Sequence, residues 1–365
     1  MPNELLDRLG IEHPIILGPL SGGPSTPDLV AAVSNAGGLG SLGAAYMTPA
    51  EITQAAARIR ALTDKPFAIN LFAGGRESDR SVDPAPMLNL LSDVHARLAL
   101  PSPELPKLPP DPFDEQFEAV IEARPAAFSF TFGIPSPAAI ARLKSLGIVT
   151  IGTATTVEEA RLLAEAGIDA VIAQGSEAGG HRGTFLGSFE AALIPTLELV
   201  RDIAAAVPLP VVASGGLMDG SDIAAACKAG ASAAQLGTAF LASPESGASE
   251  AYKRAILSAH EDTTVITRAY SGRAARGLSN EFIRKLDGRE EIILPYPLQN
   301  ILTRAMRTAA AKQGNPGYLS LWAGQGIARA RALPAGELVR RLVEEINGAA
   351  SEVTLDSYGS TSHLR

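Results

Sequence analysis

Eight short runs rich in β-branched, aromatic and small residues recur between residues 14 and 241, separated by Ala/Leu-rich segments of helical period. The runs are PIILGPL (14–20), LGSLGAA (39–45), FAINLFA (67–73), AAFSFTFG (126–133), IVTIGTA (148–154), AVIAQGS (170–176), PVVASGG (210–216) and AAQLGTAFL (233–241). The clearest helical segments span 28–37, 50–62, 137–147, 156–167, 197–207 and 221–230, and most end at Gly, the usual left-handed helix stop. A strand, a helix and a further strand make a parallel βαβ unit. Eight such units favour closure into an α/β TIM (β/α)8 barrel. The rival arrangement is two smaller Rossmann-like halves, which 365 residues also allow.

Two stretches break the rhythm. An insertion at about 74–113 holds a helical pattern at 84–99 and the proline-rich PSPELPKLPPDPF (101–113), which blocks regular helix. After residue 262 the alternation stops, and helical runs near 298–313 and 334–348 suggest an appended C-terminal helical segment over one barrel end. The expected organisation is therefore a barrel over 1–262, a helical cover over 263–350 and a flexible polar tail over 351–365.

Composition removes several classes of chemistry. The single cysteine, Cys227, cannot close an internal disulfide and has no thiol or clustered histidines beside it, so no metal site is expected. A net charge of −8 argues against nucleic acid and anionic membranes as partners. No apolar run approaches membrane-spanning length, and the acidic start MPNELLDRLG does not resemble a signal peptide. The expected location is cytoplasmic.

Barrel enzymes carry their sites at the C-terminal ends of the strands. Glycine gathers there: Gly18 opens the loop after the first strand, GGHRG follows the sixth, Gly215 and Gly216 end the seventh, and Gly237 precedes Thr238 on the eighth. The loops after strands seven and eight are the usual phosphate site of such barrels, where backbone N–H groups and a helix N-terminus hold the anion. Asp219 and Asp222 read as helix-capping acids without chemistry. Among five histidines, only His181 falls in a glycine-rich strand-end loop, where a neutral imidazole can take a proton or donate a hydrogen bond. Glu177 is either a group that steers the His181 tautomer or a surface acid. Arg182 reads as a solvated cation at the mouth, and Cys227 as buried helix packing.

The segments QGSEAGGHRG, SGGLMDG, QLGTAFL and LWAGQG (321–326), with the opening GPLSGGPSTPDLVAAVSNAGGLGSLGA, resemble the nitronate monooxygenase family. The resemblance runs from about residue 3 to 330. It implies a barrel holding FMN noncovalently through Asn70, Gln174, Gly179, Gly216, Gln235, Leu236, Gly237 and Thr238, joined at the strand ends by Gly18, Gly180 and Gly215. The implied role of His181 is base toward a nitroalkane α-carbon, or hydrogen-bond donor to a nitronate. The implied reaction oxidises a nitronate with O2 to a carbonyl compound and nitrite. A cover including Tyr296, Tyr318, Trp322 and Gln325 would exclude water. The chain departs from the family in reading GPLSG where Met commonly follows GP. The expected partners are thus a small nitronate and O2; a homodimer is left open. The nearest alternative is an FMN-dependent enoyl-acyl-carrier-protein reductase using NAD(P)H. A flavin-free sugar-phosphate isomerase or lyase, and a flavin-binding module without catalysis, are further alternatives.

Overall fold

The computed structural model describes residues 3–75 and 82–359, with 350–359 in backbone alone. Its strands are β1 Ile15–Leu17, β2 Gly40–Gly43, β3 Phe67–Phe72, β4 Ala127–Thr131, β5 Val149–Ala154, β6 Ala170–Gln174, β7 Gly180–His181, β8 Val211–Ser214, β9 Ala233–Leu236, β10 Thr264–Thr267 and β11 Ala275–Leu278. Eight of them form one parallel sheet in the order β1-β9-β8-β6-β5-β4-β3-β2. A parallel bridge between Ile16 and Leu39 joins β1 to the chain entering β2 and closes the ring. Its bonds are Leu17 N–H to Leu39 O and Leu39 N–H to Ile15 O, both 2.9 Å. The fold is the (β/α)8 barrel, and each of the eight sequence runs contributes one strand.

Alternation within the strands explains the closed shape. In β1, Ile15 and Leu17 join the large core between sheet and outer helices. Ile16, between them, points into the barrel with Ala68, Ala127, Ala170 and Ala233. Leu5 and Leu9 of the helix Glu4–Leu9 belong to that same inner cluster and plug the barrel floor. Several outer helices start with a Ser or Thr cap followed by proline, as at Thr26–Pro27, Thr48–Pro49 and Ser136–Pro137. The cap oxygen accepts an orphan N–H, and the proline ring supplies a helical φ without losing a needed donor.

The eighth run ends sooner than expected. Strand β9 stops at Leu236, and Thr238–Leu241 turns into a short helix. Residue 18 and residue 237 approach so closely that a side chain on Gly18 would lie 3.1 Å from the Gly237 Cα. The Phe and Leu of TAFL therefore read as strand while packing as helix.

Beyond residue 262 the chain is not purely helical. Strands β10 and β11 pair antiparallel, and β11 also pairs with β7, so a small three-stranded sheet crosses the loop after β6. The insertion helix Ala85–Arg97 shares a second hydrophobic core with this region through Met87, Leu90, Leu91 and Val94. The two breaks in the barrel rhythm thus pack on each other. The final helix, Ala335–Gly359, lies against Pro27–Asn35 and Gly220–Lys228 and so takes the eighth place in the outer ring. It extends past the 334–348 expected, well into the segment read as tail. Residues 360–365, also assigned to the tail, lie outside the described residues.

Candidate active site

The C-terminal ends of the barrel strands open into a cavity of about 540 Å³, within the ~300–1,000 Å³ usual for small-molecule and cofactor sites. Gly18, Asn70, Gln174, Gly179, Gly180, His181, Gly215, Gly216, Gln235, Gly237 and Thr238 all line it. Leu236 does not. Its side chain is buried in the core between the sheet and the outer helices, and only its carbonyl, which accepts the Gly18 N–H at 2.8 Å, reaches the strand end.

One wall is mostly backbone. Gly215 and Gly216 have φ of +131° and +72°, a region costly for other residues. A side chain on Gly216 would also meet the Glu177 Cβ at 3.0 Å. Two amides stand on the same floor: Asn70 donates to Ser129 Oγ at 2.9 Å and Gln235 donates to Ser214 Oγ at 3.2 Å. The N-terminus of helix Gly220–Lys228, expected to help hold a phosphate, is already filled by acids. Asp219 and Asp222 form a reciprocal capping box, as their spacing suggested. Glu345 accepts the Gly220 N–H at 2.9 Å, and Arg329 pairs with Asp219 at 2.6 Å and Asp222 at 2.9 Å. An anion on this wall would rest on the glycine turns, not on that helix.

The loop after β6 is held from several sides. Gln174 clamps it: Nε2 donates to the His181 carbonyl at 3.0 Å, and Oε1 accepts the Gly183 N–H at 2.8 Å. Gly179 lets the Ala323–Gly324 backbone pass directly above, since a Cβ there would lie 2.4 Å from the Gly324 nitrogen. Arg182 is not a solvated mouth cation. It is 1% exposed, and its guanidinium donates to the carbonyls of Gly175 (2.5 Å), Gln174 (3.0 Å) and Ala192 (3.1 Å). Burial, followed by the nearby Arg276, lowers its pKa to about 10. Glu177 accepts from Thr196 N–H and Oγ1, at 2.9 and 2.7 Å, and so fastens the start of the next helix, leaving the imidazole to another partner.

That partner is Ser271, whose Oγ lies 2.9 Å from His181 Nε2. Four rings surround the imidazole, with centroids at 5.6 Å (Trp322), 5.9 Å (Phe132), 6.2 Å (Phe72) and 6.3 Å (Tyr296). Burial first, then the charges of Arg273 and Arg307, push the His181 pKa down to about 3. The ring is therefore neutral at physiological pH, able to accept a proton from one nitrogen and donate from the other.

The far wall carries charge. Arg304 and Arg307 line it, and Arg307 donates to Asn300 O and Oδ1 at 2.7 and 2.9 Å. Among the buried polar atoms of cavity residues, Ser21 Oγ and Arg307 Nε have no hydrogen-bond partner among the described residues. Ser21 stands in the GPLSG turn after β1.

Several expected residues sit elsewhere. Tyr318 donates to the Glu281 carboxylate away from the cavity, and Gln325 is exposed. Cys227 is exposed on its helix, not buried. Sequence reasoning missed Ser271, Phe72, Phe132 and Arg307. Phe72 and Phe132 carried a signal, since both lie at strand ends; Ser271 comes from an irregular turn with no periodic mark, and Arg307 lies in the expected 298–313 helical run with nothing to show that it faces the site.

Comparison with known proteins decides the family. The model described as nitronate monooxygenase matches residues 3–345. The chain belongs to the nitronate monooxygenase family. A probable nitronate monooxygenase from Staphylococcus haemolyticus (strain JCSC1435) is 41% identical over 94% of this chain and 97% of its own length. The structure of a nitroalkane oxidase from Streptomyces ansochromogenes is 42% identical, covers 96% of this chain and 99% of its own, and superposes with a TM-score of 0.89. FabK from Thermotoga maritima is more distant, at 30% identity and a TM-score of 0.76 over 97% of this chain and 99% of its own. The protein is thus an oxidoreductase of the monooxygenase type. Among the described residues no helix is long and apolar enough to cross a membrane.

Proposed function

We propose that the protein is a cytoplasmic FMN-dependent enzyme that oxidises alkyl nitronates, and nitroalkanes after loss of an α-proton, with O2 to a carbonyl compound and nitrite. The observation that carries this reading is the placing of His181 at the meeting of a glycine wall and an aromatic cage. FMN fits the cavity on three counts. The positive-φ turn at Gly215–Gly216 leaves room for a phosphate against backbone. Asn70 and Gln235 offer amides where a flat polar ring system would cross the strand ends. Ser21 Oγ is a buried donor without a partner among the described residues, as an absent polar ligand would leave it.

When bound, the flavin supplies the electron-accepting chemistry that no side chain here can. The protein's own part is positioning and charge. Gln174 fixes the backbone at His181 and two residues beyond it, so the imidazole is held at a set place beside the cofactor wall. His181 handles the α-proton of a neutral substrate at its ring nitrogen. Arg273 and Arg307 hold positive charge near the place where a nitronate would lie. Trp322, Phe132 and Phe72 keep water from the site.

Purified protein should be yellow, release FMN on denaturation, and consume O2 with nitrite release when given simple alkyl nitronates. Colourless protein that binds no added FMN, or yellow protein that yields no nitrite, contradicts the reading. The likeness to FabK supports one second reading, reduction of an enoyl thioester with NAD(P)H.

A further inference from the structure

We infer that Ser271 is a positioning residue that locks His181 in the tautomer protonated on Nε2, leaving Nδ1 as the bare nitrogen that takes the substrate proton. This rests on the proposed nitroalkane and nitronate chemistry and deepens it by assigning the proton to one atom.

A serine hydroxyl has one proton to give and two lone pairs to receive. Ser271 Oγ makes three contacts: Arg273 O at 3.0 Å, Arg273 N at 3.2 Å and His181 Nε2 at 2.9 Å. The Arg273 carbonyl can only accept, so the hydroxyl proton goes there. The Arg273 N–H can only donate, which occupies one lone pair. The remaining lone pair faces His181 Nε2, and the contact is a hydrogen bond only if Nε2 carries a proton. A neutral imidazole with Nε2–H has Nδ1 bare. Nδ1 has no protein partner among the described residues, in a ring that lines the cavity.

The loop around Ser271 is held firmly enough to enforce this choice. Ser271 is 1% exposed. The carbonyl of Tyr270 accepts from Thr303 Oγ1 at 2.6 Å, and that of Ala269 accepts from Gln299 Nε2 at 2.7 Å. Gly272, at φ +86°, sits so near the Leu294 carbonyl that a Cβ would come within 2.3 Å of it. The β7–β11 pairing brings His181 opposite Ala275, at the end of the same loop.

In the resulting step, the α-carbon proton of a nitroalkane passes to Nδ1, and the C–H electron pair moves into the nitronate. The imidazolium formed keeps its Nε2–H on Ser271. A preformed nitronate needs no such transfer. Ser271 therefore matters for neutral nitroalkanes and much less for nitronates.

The test is long-range ¹H–¹⁵N NMR of the FMN-loaded, ¹⁵N-histidine-labelled protein, with the His181 signals identified by their loss in His181→Asn. The expected result is a pyrrole-like Nε2 and a pyridine-like Nδ1; a proton on Nδ1 overturns the inference. Ser271→Ala should mix the tautomers and lower kcat on a neutral nitroalkane about tenfold, a fraction of the ~10²–10⁴ that acid–base catalysis supplies. Turnover of the matching nitronate should change less than about twofold by the same reasoning, and Ser271→Thr should restore both signals and rate. Equal losses on both substrates in Ser271→Ala, with the wild-type tautomer still in place, also overturn it. Absence of nitrite from either substrate would instead count against the proposed function, and the wild-type spectrum still decides the tautomer.

Discussion

The two walls of the cavity are built by different means. The wall carrying Gly18, Gly215, Gly216 and Gly237 is backbone at the ends of barrel strands, fixed by the parallel sheet beneath it. The wall carrying Arg304, Arg307 and Trp322 is side chain, and it is delivered, with Ser271 behind His181, by the segment that leaves β9 and returns to the ring only at Ala335. His181 sits at the seam, since β7 follows barrel strand β6 yet pairs with β11 of the outer segment. On the proposed function the labour would be divided: the barrel half would hold the cofactor by shape, and the outer half would choose what reacts beside it. A change on one wall should then spare the work of the other.

The largest effect is expected at the seam. His181→Asn should keep FMN bound and lower turnover of a neutral nitroalkane by about a hundredfold or more, the order general acid–base residues supply; FMN content and kcat measured together would show it. Near-normal turnover would remove His181 from the chemistry. On the backbone wall, Gly216→Val forces a side chain into φ +72° and against Glu177. Such strain costs about 1–3 kcal/mol, enough to lower FMN retention roughly tenfold, while the outer core stays folded by near-ultraviolet dichroism.

On the side-chain wall, Arg307→Met removes one of the charges that hold the His181 pKa down. The acid limb of the kcat/KM profile should move to higher pH, toward the ordinary histidine value near 6.5, with FMN content unchanged. An unmoved limb would mean that burial alone sets it. Stability should respond to the same group. Because the folded His181 pKa is depressed to about 3, unfolding takes up a proton below the ordinary value near 6.5, so its contribution is complete above that pH and is lost as pH falls toward 3. Urea unfolding at pH 7 and pH 5 should show a smaller loss in His181→Asn than in the wild type. The smallest effect belongs to Arg329→Ala. Its contacts with Asp219 and Asp222 are partly solvated, and such pairs contribute about 0.2–1 kcal/mol.

The same contrast explains what could be read in advance. Ile15, Ile16 and Leu17 alternate between two cores, and the helices open on Ser/Thr-Pro caps, so the barrel is written locally and repeats eight times. Glycine at strand ends marked the backbone wall for the same reason. Ser271 had no such mark: it meets His181 across 90 positions of sequence through a hairpin whose short strands were not anticipated. Glu177, the nearer candidate for steering the imidazole, turned out to fasten Thr196. Arg182, adjacent to His181, faces the opposite way into three carbonyls, because the extended chain just past β7, where Arg182 N–H still bonds Ala274 O, sends successive side chains to opposite sides. Leu236 likewise fell on the core face of β9 while its neighbour Gln235 faces the cavity.

The most direct test of the account is anaerobic mixing of the FMN-loaded protein with an alkyl nitronate and, separately, with NADH and NADPH, following the visible flavin absorbance. The account predicts rapid loss of flavin colour with the nitronate, and little change with either nicotinamide. Rapid bleaching by NADH or NADPH, with the nitronate inert, would contradict it and turn the same cavity over to enoyl reduction.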